Sequence, residues 1–112
     1  MTEAKIFPEL TVKEVAELIA RGGVVIVDCN PRRRWASGHV PGAINLDPSV
    51  FTEHDIPASR ETSIVFYCSD GDSAASRYAA RKAAKMGFVN VFTMPAGIRG
   101  WLAGGQKAMA SR

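Results

Sequence analysis

The amino-acid sequence predicts an α/β domain in which helices cover both faces of a mostly parallel sheet. Short apolar runs of the kind found in buried strands alternate with segments that carry helical periodicity and capping residues. Strands that alternate with helices are joined by crossovers, which make neighbouring strands parallel and bring helices onto the sheet. The length of 112 residues and the apolar share of 46% predict one domain, spanning 1–112, with an ordinary globular core.

The first predicted helix begins behind a capping box. Thr11 and Glu14 have the spacing at which each side chain accepts a hydrogen bond from the backbone amide of the other. The apolar residues behind them share one helical face: Val12, Val15, Ala16 and Ile19. Gly22 and Gly23 are expected to end this helix, and the apolar run Val24–Asp28 then predicts a strand buried on both faces.

The next elements are short. Asn30 is expected to cap a helix that begins at Pro31 and ends at Gly38. Residues 43–46 predict a second buried strand, and the pair formed by Asp47 and the proline after it predicts the start of another short helix.

The second half of the chain continues the alternation. Its predicted elements are the strand Ser63–Tyr67, a long alanine-rich helix that ends at Met86 before Gly87, a strand over 89–93 and a helix over 96–102. Cys68 stands at the carboxyl end of the third strand. Ligands of parallel sheets bind outside the carboxyl ends of the strands, so Cys68 lies where a functional residue is expected.

Cys68 is followed by a short polar loop: Ser69, Asp70, Gly71, Asp72 and Ser73. The backbone amides of such a loop can curl toward the sulfur, and the amino end of the next helix adds a positive dipole. Both features favour the thiolate, which is the nucleophilic form of cysteine. A buried cysteine that packs as a small apolar side chain is the alternative, and these features alone leave both interpretations open.

Three segments resemble the signature motifs of the rhodanese family, and the resemblance covers about residues 9–104. Residues 28–45, which include Gly-His-Val-Pro-Gly-Ala, are similar to the amino-terminal signature of that family. Tyr67-Cys68-x-x-Gly71-x-Ser73 resembles the active-site loop of single-domain sulfurtransferases. Residues 96–101, Ala-Gly-Ile-Arg-Gly-Trp, look like the carboxyl-terminal motif. The order and the spacing of the three segments also match the family.

The resemblance implies a single rhodanese-like domain with a five-stranded, mostly parallel sheet and helices on both faces. The fifth strand would lie around Glu9 and Leu10. The implied activity is sulfur transfer, in which Cys68 takes a sulfane sulfur from a donor such as thiosulfate or a persulfide and holds it as a persulfide. A thiol, a protein or cyanide would then accept the sulfur.

The same resemblance implies the site and its partners. The substrate-binding loop would consist of the five residues after the cysteine: Ser69, Asp70, Gly71, Asp72 and Ser73. No metal and no organic cofactor would be required. The implied partners are a small-molecule sulfur donor and a thiol or protein acceptor. A sulfur-carrier or sensor module of the same fold, without turnover, is the alternative function.

Two departures from the family pattern concern charge. Asn30 stands where the family usually has arginine, and Arg34 stands where it often has glutamate, so a partner charge has moved. Asp70 and Asp72 occupy a loop in which many sulfurtransferases carry a cation. Two carboxylates near the sulfur would repel a dianion, so this loop predicts that thiosulfate is disfavoured relative to neutral or monoanionic persulfides.

Several other residues are expected to be structural: Asp28, Trp35, His39 and Trp101. His39 belongs to the turn before the second buried strand, and a general-base role is the weaker interpretation. Cys29 is expected to be a spectator, although a role in resolving an oxidised Cys68 is the alternative. Two cysteines cannot form a disulfide framework, and no Cys or His spacing fits a metal site.

Other functional classes are disfavoured. Phosphatases of this fold need an arginine six residues after the cysteine, where this chain has Ala74. The basic residues of the long helix lack interleaved aromatic side chains, so no nucleic acid is expected. No apolar run approaches the roughly 20 residues of a membrane span. The first seven residues lack the apolar core of a signal peptide, so we expect no membrane association and a cytoplasmic location.

Overall fold

The structure is a computed structural model that describes residues 7–71 and 74–111. Its strands are β1 Val24–Asp28, β2 Ile44–Asn45, β3 Ser63–Tyr67 and β4 Val91–Thr93. Its helices are α1 Val12–Arg21, α2 Arg32–Ser37, α3 Ala75–Lys85 and α4 Gly97–Ala103, and a 3₁₀ helix covers Glu53–Asp55. All strand pairs are parallel, in the order β2-β1-β3-β4. Within these ranges no helix is long and apolar enough to cross a membrane.

The central strands β1 and β3 send alternate side chains into two apolar layers. One layer packs against the alanines of α3 and includes Val27, Ile64 and Phe66. The other packs against α1 and α4 and includes Ile26, Val65 and Tyr67. A sheet buried on both faces explains why these strands are continuous apolar runs in the sequence. The predicted α/β class, with a parallel sheet and helices on both faces, is confirmed.

The start of α1 has the predicted capping box. The Thr11 amide donates to Glu14 Oε1 at 2.8 Å, and the Glu14 amide donates to Thr11 Oγ1 at 3.1 Å. Val15 on the apolar face is fully buried. Gly22 and Gly23 end the helix with φ of 81° and 78°, a conformation that favours glycine.

The predicted fifth strand is wrong, because the segment forms only an isolated bridge. Glu9 pairs in parallel with Thr93 of β4, where the Thr93 amide donates to Pro8 O and the Leu10 amide donates to Thr93 O. Pro8 has no amide to extend the ladder, and Thr11 already caps α1. The extended stretch is therefore too short to be a fifth strand, and the sheet has four strands in the described residues.

The helix predicted at Asp47 is also wrong. The Asp47 carboxylate accepts hydrogen bonds from the Ser49 amide and hydroxyl at 2.9 and 2.7 Å, which closes a turn. The same two bonds, the one from the hydroxyl first, lower the pKa of Asp47. The helical turn of this segment comes later, at Glu53–Asp55, behind a capping box of Thr52 and Asp55.

Asn30 does not cap α2. The residue before that helix is Pro31, and no side chain caps the helix there. Asn30 is instead 6% exposed, and its side chain oxygen accepts a hydrogen bond from Ser69, 39 positions along the chain. The side-chain oxygen of Asn30, which local sequence rules predict to cap the helix, thus forms a tertiary hydrogen bond instead.

A buried pair, Tyr67 and Asp28, ties the two central strands together. The Tyr67 hydroxyl donates to Asp28 Oδ2 at 2.6 Å and accepts from the Val40 amide at 3.0 Å. The Asn30 amide donates to Asp28 Oδ1 at 2.7 Å. Burial raises the pKa of Asp28, and the hydrogen bonds from Tyr67 and Asn30 partly offset this effect. Burial and the neighbouring Asp28 raise the pKa of Tyr67, which keeps its hydroxyl a donor.

Replacement of Tyr67 by phenylalanine tests this pair. Tyr67→Phe leaves the Val40 amide and the Asp28 carboxylate without their buried partner, so we expect a loss of about 1–3 kcal/mol in unfolding free energy. Tyr78→Phe is the matched control, because Tyr78 is 48% exposed and its loss should cost less than about 0.5 kcal/mol. Urea unfolding measures both, and equal stabilities would contradict this assignment.

Candidate active site

Cys68 lies at the topological switch point of the sheet. The chain leaves β1 toward β2 on one side and leaves β3 toward β4 on the other, so the strand order reverses between β1 and β3. Open α/β sheets bind ligands at this place, outside the carboxyl ends of the strands. Cys68 follows β3 and Cys29 follows β1, and the Cys29 amide donates to Tyr67 O at 2.8 Å. The strand order thus supports Cys68 as the candidate functional residue, as its position directly after β3 in the sequence had suggested.

The Cys68 thiol is buried against the first turn of α3. The side chain is 3% exposed and belongs to the layer on the α3 face of the sheet. Its thiol donates a hydrogen bond to Ser76 Oγ at 3.4 Å, and Ser76 is itself 4% exposed. Burial is what a packing cysteine would also show, but a buried hydroxyl beside the sulfur is not needed for packing. In the sequence, Ser76 is marked only as a polar residue among helix alanines, so it was not among the predicted site residues.

The loop after Cys68 is described only for its first part. Ser69 and Asp70 are half-buried, and Gly71 is exposed. Asp72 and Ser73 lie outside the described residues, so their predicted roles stay predictions. Ser69 makes the main side-chain contacts of the described part, because its hydroxyl donates to Asn30 Oδ1 at 2.7 Å and accepts from an arginine of α2.

The amino end of α4 holds the backbone of this loop. The Ile98 amide donates to Cys68 O at 2.9 Å, and the Arg99 amide donates to Ser69 O at 3.0 Å. Gly97 precedes both amides and has a φ of 63°. A Cβ on Gly97 would lie 2.5 Å from Cys68 O and from Ser69 C and O, so a side chain has no room there. This motif is recognisable in the sequence, but its contact with the cysteine loop is not.

These contacts also set the direction of the loop amides. In a trans peptide the N–H points opposite to the C=O, and the described residues contain no cis peptide. Because the carbonyls of Cys68 and Ser69 point to α4, the amides of Ser69 and Asp70 point away from it. The apolar residues of α4 belong to one face of the sheet, and the Cys68 side chain belongs to the other. Two backbone donors therefore face the side of the sheet that holds the sulfur.

The charges around the loop are more balanced than its own sequence suggests. Arg99 Nε lies 3.8 Å from Asp70 Oδ2, and Arg34 Nη1 donates to Ser69 Oγ at 2.6 Å. Both arginines come from other elements, α4 and α2. The interpretation of the loop as an acidic surface is therefore incomplete for its described part, because it counted only the charges of the loop itself.

The surroundings of Cys29 disfavour its thiolate. Its side chain is 6% exposed, and burial raises its pKa well above the usual value, with the neighbouring Cys68 and Asp28 adding to the effect. A thiol in this state is protonated at neutral pH and reacts slowly. Neither cysteine is in a disulfide. The spectator role of Cys29 stays a prediction, and this pKa shift favours it.

The remaining candidates take structural positions. His39 Nδ1 donates to Trp35 O at 2.8 Å, and the two rings stack with centroids 4.6 Å apart. Trp35 Nε1 donates to Ala43 O, and the buried Trp101 donates to Lys107 O. These contacts fit the predicted structural roles. In the described part of the chain, no cluster of His, Cys, Asp and Glu is placed to hold a metal ion.

Comparison with known proteins gives the class that this fold and site define. The profile of the rhodanese-like domain family matches residues 11–104, and the chain therefore belongs to that family. Thiosulfate sulfurtransferase GlpE of Haemophilus influenzae is 32% identical over 95 residues, which cover 85% of this chain and 88% of that protein. The resemblance found in the sequence motifs is confirmed.

Solved structures share the fold. The BH2092 protein from Bacillus halodurans superimposes with a TM-score of 0.85 at 24% identity, over 92% of this chain and 77% of that one. The human single-domain sulfurtransferase TSTD1 superimposes with a TM-score of 0.74 at 23% identity, over 86% of this chain and 96% of that one. At these identities the likeness concerns the fold alone.

The contact of Gly97 with the cysteine loop is testable with a matched glycine. Gly97→Ala and Gly105→Ala both place a side chain at positive φ, at a cost of about 1–2 kcal/mol each. Only Gly97 has backbone in the way, whereas nothing lies within 4 Å of a Cβ on Gly105. We expect Gly97→Ala to lower any activity that depends on Cys68 about tenfold or more, since small misplacements of a reacting group are costly.

The control should separate strain from displacement of the loop. Gly105→Ala is expected to keep activity within about twofold, because the strain lies outside the site. Urea unfolding of both variants shows whether each remains folded at the assay temperature. Equal losses of activity in the two variants would contradict the proposed role of Gly97.

Proposed function

We propose that this protein is a sulfurtransferase in which Cys68 carries the transferred sulfur as a persulfide. The observation that carries the proposal is the placement of Cys68 at the switch point, with two loop amides directed to the side of the sheet that holds its sulfur. Membership of the rhodanese-like family and the thiosulfate sulfurtransferase relatives support the same activity. The expected setting is a reducing compartment such as the cytoplasm, where a thiol stays available.

The proposed reaction has two steps. In the first, the Cys68 thiolate attacks the outer sulfur of the donor; an S–S bond forms at Cys68, and the electron pair of the broken bond leaves with sulfite or a thiolate. In the second, cyanide or an acceptor thiolate attacks the same outer sulfur and returns the Cys68 thiolate. The cycle needs no external oxidant or reductant, and covalent catalysis of this kind gives ping-pong kinetics.

The groups around Cys68 are suited to a sulfur anion. Because α4 holds the carbonyls of Cys68 and Ser69, the Ser69 and Asp70 amides would serve as preorganised donors for negative charge on the thiolate and the persulfide. Ser76 accepts a hydrogen bond from the thiol, and because a hydroxyl can rotate, it can donate to the thiolate once the proton has left. These residues would lower the energy of the charged states through which the sulfur passes.

A sulfur carrier or sensor without turnover is the second candidate. The deep burial of Cys68 favours it, since the thiol of a residue that is 3% exposed is reached by small donors more easily than by a large acceptor. Intact mass after incubation with a donor, measured beside a thiosulfate:cyanide assay, separates the two functions. Sulfur that loads onto the protein and is not passed on would identify the carrier.

Substitution of each cysteine tests the assignment of the nucleophile. Cys68→Ser should abolish both cyanide-dependent turnover and sulfur uptake, because the attacking atom is gone. Cys29→Ser should keep most of both, since the raised pKa of Cys29 leaves it protonated. Turnover and intact mass measure the two effects. A dead Cys29→Ser protein beside an active Cys68→Ser protein would show that the assignment is wrong.

Removal of the Ser76 hydroxyl tests its role at the sulfur. A hydrogen bond to a charged group contributes about 1.5–3 kcal/mol, so Ser76→Ala should slow sulfur loading about ten- to a hundredfold. Ser59→Ala is the control, because the exposed Ser59 shares its hydroxyl hydrogen bond with Thr62, and the change should leave loading unchanged within about twofold. Quenched-flow mixing followed by mass spectrometry gives the rate of sulfur loading. An unaffected Ser76→Ala protein would show that the backbone donors suffice.

A further inference from the structure

Helix α3 carries positive charge only. It contains four basic residues and no acidic one, which is one charge more than the net charge of +3 of the whole chain. Helix α1, which packs on the other face of the sheet, has two basic and two acidic residues. Without α3 the chain would be slightly acidic, so this helix accounts for the excess of positive charge.

Three of these cations form a stripe along the exposed side of the helix. Arg77, Arg81 and Lys85 recur every four residues, so their side chains lie on one side of α3 over a length of about 12 Å. All three are exposed, and among the described residues none of them forms an ion pair with a carboxylate. Tyr78, the one aromatic residue of the helix, lies beside them and is 48% exposed. We call these four residues the basic face of α3.

The stability of the helix does not explain the whole face. Lys85 stands in the last turn, where a cation complements the negative end of the helix dipole. Arg77 stands in the first turn, near the positive end, where a cation is disfavoured. The remaining cation of the helix, Lys82, is used within the fold, since its Nζ donates to Pro48 O at 3.3 Å. In the described part of the chain no such contact accounts for Arg77.

The basic face begins at the candidate active site. Ser76, which accepts the hydrogen bond of the Cys68 thiol at 3.4 Å, directly precedes Arg77 in the chain. The same helical turn therefore contacts the sulfur with a buried residue and presents Arg77 and Tyr78 to the outside. Because Cys68 is 3% exposed, an acceptor thiol reaches it more easily on an extended segment than on the surface of a rigid domain.

We propose that the basic face of α3 docks an acidic, extended segment of an acceptor protein, and that a cysteine in this segment takes the sulfur from Cys68. This inference rests on the proposed sulfurtransferase function. Complementary charges steer association and fix the orientation of the partners, and arginine and tyrosine are frequent anchors of protein interfaces. An extended segment rises about 3.3 Å per residue, so about four residues beside the cysteine would cover the face.

The chemistry of the transfer favours a protein as the partner. The acceptor thiolate attacks the outer sulfur of the Cys68 persulfide, and an S–S bond forms on the acceptor while the S–S bond at Cys68 breaks. The electron pair of the broken bond returns to Cys68 as its thiolate, so no oxidant or reductant is consumed. A cysteine supplies the attacking thiolate, whereas an unmodified nucleic acid has negative charge but no thiol.

Single-turnover transfer to two peptides tests the inference. The protein is loaded with sulfur, separated from the donor and mixed with a short peptide whose central cysteine is flanked by glutamates, or with the same peptide carrying glutamines. The ratio of the two transfer rates is the acidic preference. We expect Arg77→Gln/Arg81→Gln/Lys85→Gln to lower this ratio about tenfold, since electrostatic attraction raises association rates by that order or more. High salt should lower the ratio of the parent protein in the same way.

A matched variant separates the basic face from net charge. Lys13→Gln/Arg21→Gln/Lys107→Gln removes the same charge from exposed residues of α1 and of the segment after α4, elements that pack on the other face of the sheet. We expect it to keep the acidic preference within about twofold, because screening weakens charges at that distance. Transfer to 2-mercaptoethanol, an uncharged thiol, should agree within about twofold among the parent and both variants, since exposed substitutions leave the fold intact.

The outcomes distinguish this inference from the proposed function. If no sulfur loads onto the parent protein, the proposed function fails and the inference fails with it. If sulfur loads and passes to 2-mercaptoethanol, but the α3 variant keeps the acidic preference of the parent, the inference is overturned while the function stands. Equal losses in the two charge variants would also overturn it, because they would show an effect of net charge.

Two further measurements address other occupants of the basic face. An oligonucleotide of equal charge that slows transfer more strongly than the acidic peptide with serine in place of cysteine would assign the face to a nucleic acid. A dimer of the parent protein that the α3 variant loses, measured by sedimentation, would assign it to a second copy of this chain. Either result would overturn the inference.

Discussion

The hydrogen bond between Tyr67 and Asp28 is the contact on which the site most depends. The parallel register places these residues opposite each other at the carboxyl ends of β3 and β1, where both are fully buried. A buried carboxylate without partners is costly, so the Tyr67 hydroxyl and the Asn30 amide are required there. Since Cys68 directly follows Tyr67 and Asn30 lies two residues after Asp28, the pair fixes the positions of Cys68 and of the residue that supports Ser69.

The sequence was a good guide wherever a signal is local. The capping box of Thr11 and Glu14 is closed within a few residues. The apolar runs of β1 and β3 and the alanine face of α3 are patterns within one contiguous segment each, and the structure has all of them. The helix-capping prediction for Asn30 was wrong because its side-chain oxygen accepts a hydrogen bond from Ser69, which is distant in the chain, and does not cap the helix beside it. The prediction of a fifth strand around Glu9 was wrong because an extended segment forms a strand only if its neighbours continue the hydrogen-bond ladder. Pro8 has no amide hydrogen and prevents this.

The residues of the candidate site differ in the same way: some are recognisable from their neighbours in the sequence, and others are brought to the site only by the fold. Cys68 could be selected from sequence because a strand end and the loop after it are contiguous. Ser76 and Arg99 could not be selected, because the contacts of α3 and α4 with the loop follow from the fold and not from the chain order. Arg34 stood out only as a moved charge, and its contact with Ser69 also follows from the fold. Charge shows the difference most clearly, since electrostatic energy depends on distance in space and not on separation along the chain. Asp70 is acidic in the sequence and lies against a guanidinium in the fold.

The role of α4 follows from the planarity of the peptide bond. Its first amides hold the carbonyls of Cys68 and Ser69 on one face of the sheet, and planarity then directs the following N–H groups to the other face, where the sulfur lies. A short helix can therefore orient the backbone donors beside Cys68 through its own backbone amides. This arrangement requires close approach of two backbones, and Gly97 permits it by having neither a Cβ nor a penalty for its φ of 63°. The glycine of the last motif is thus linked to the chemistry of the second motif through two peptide planes.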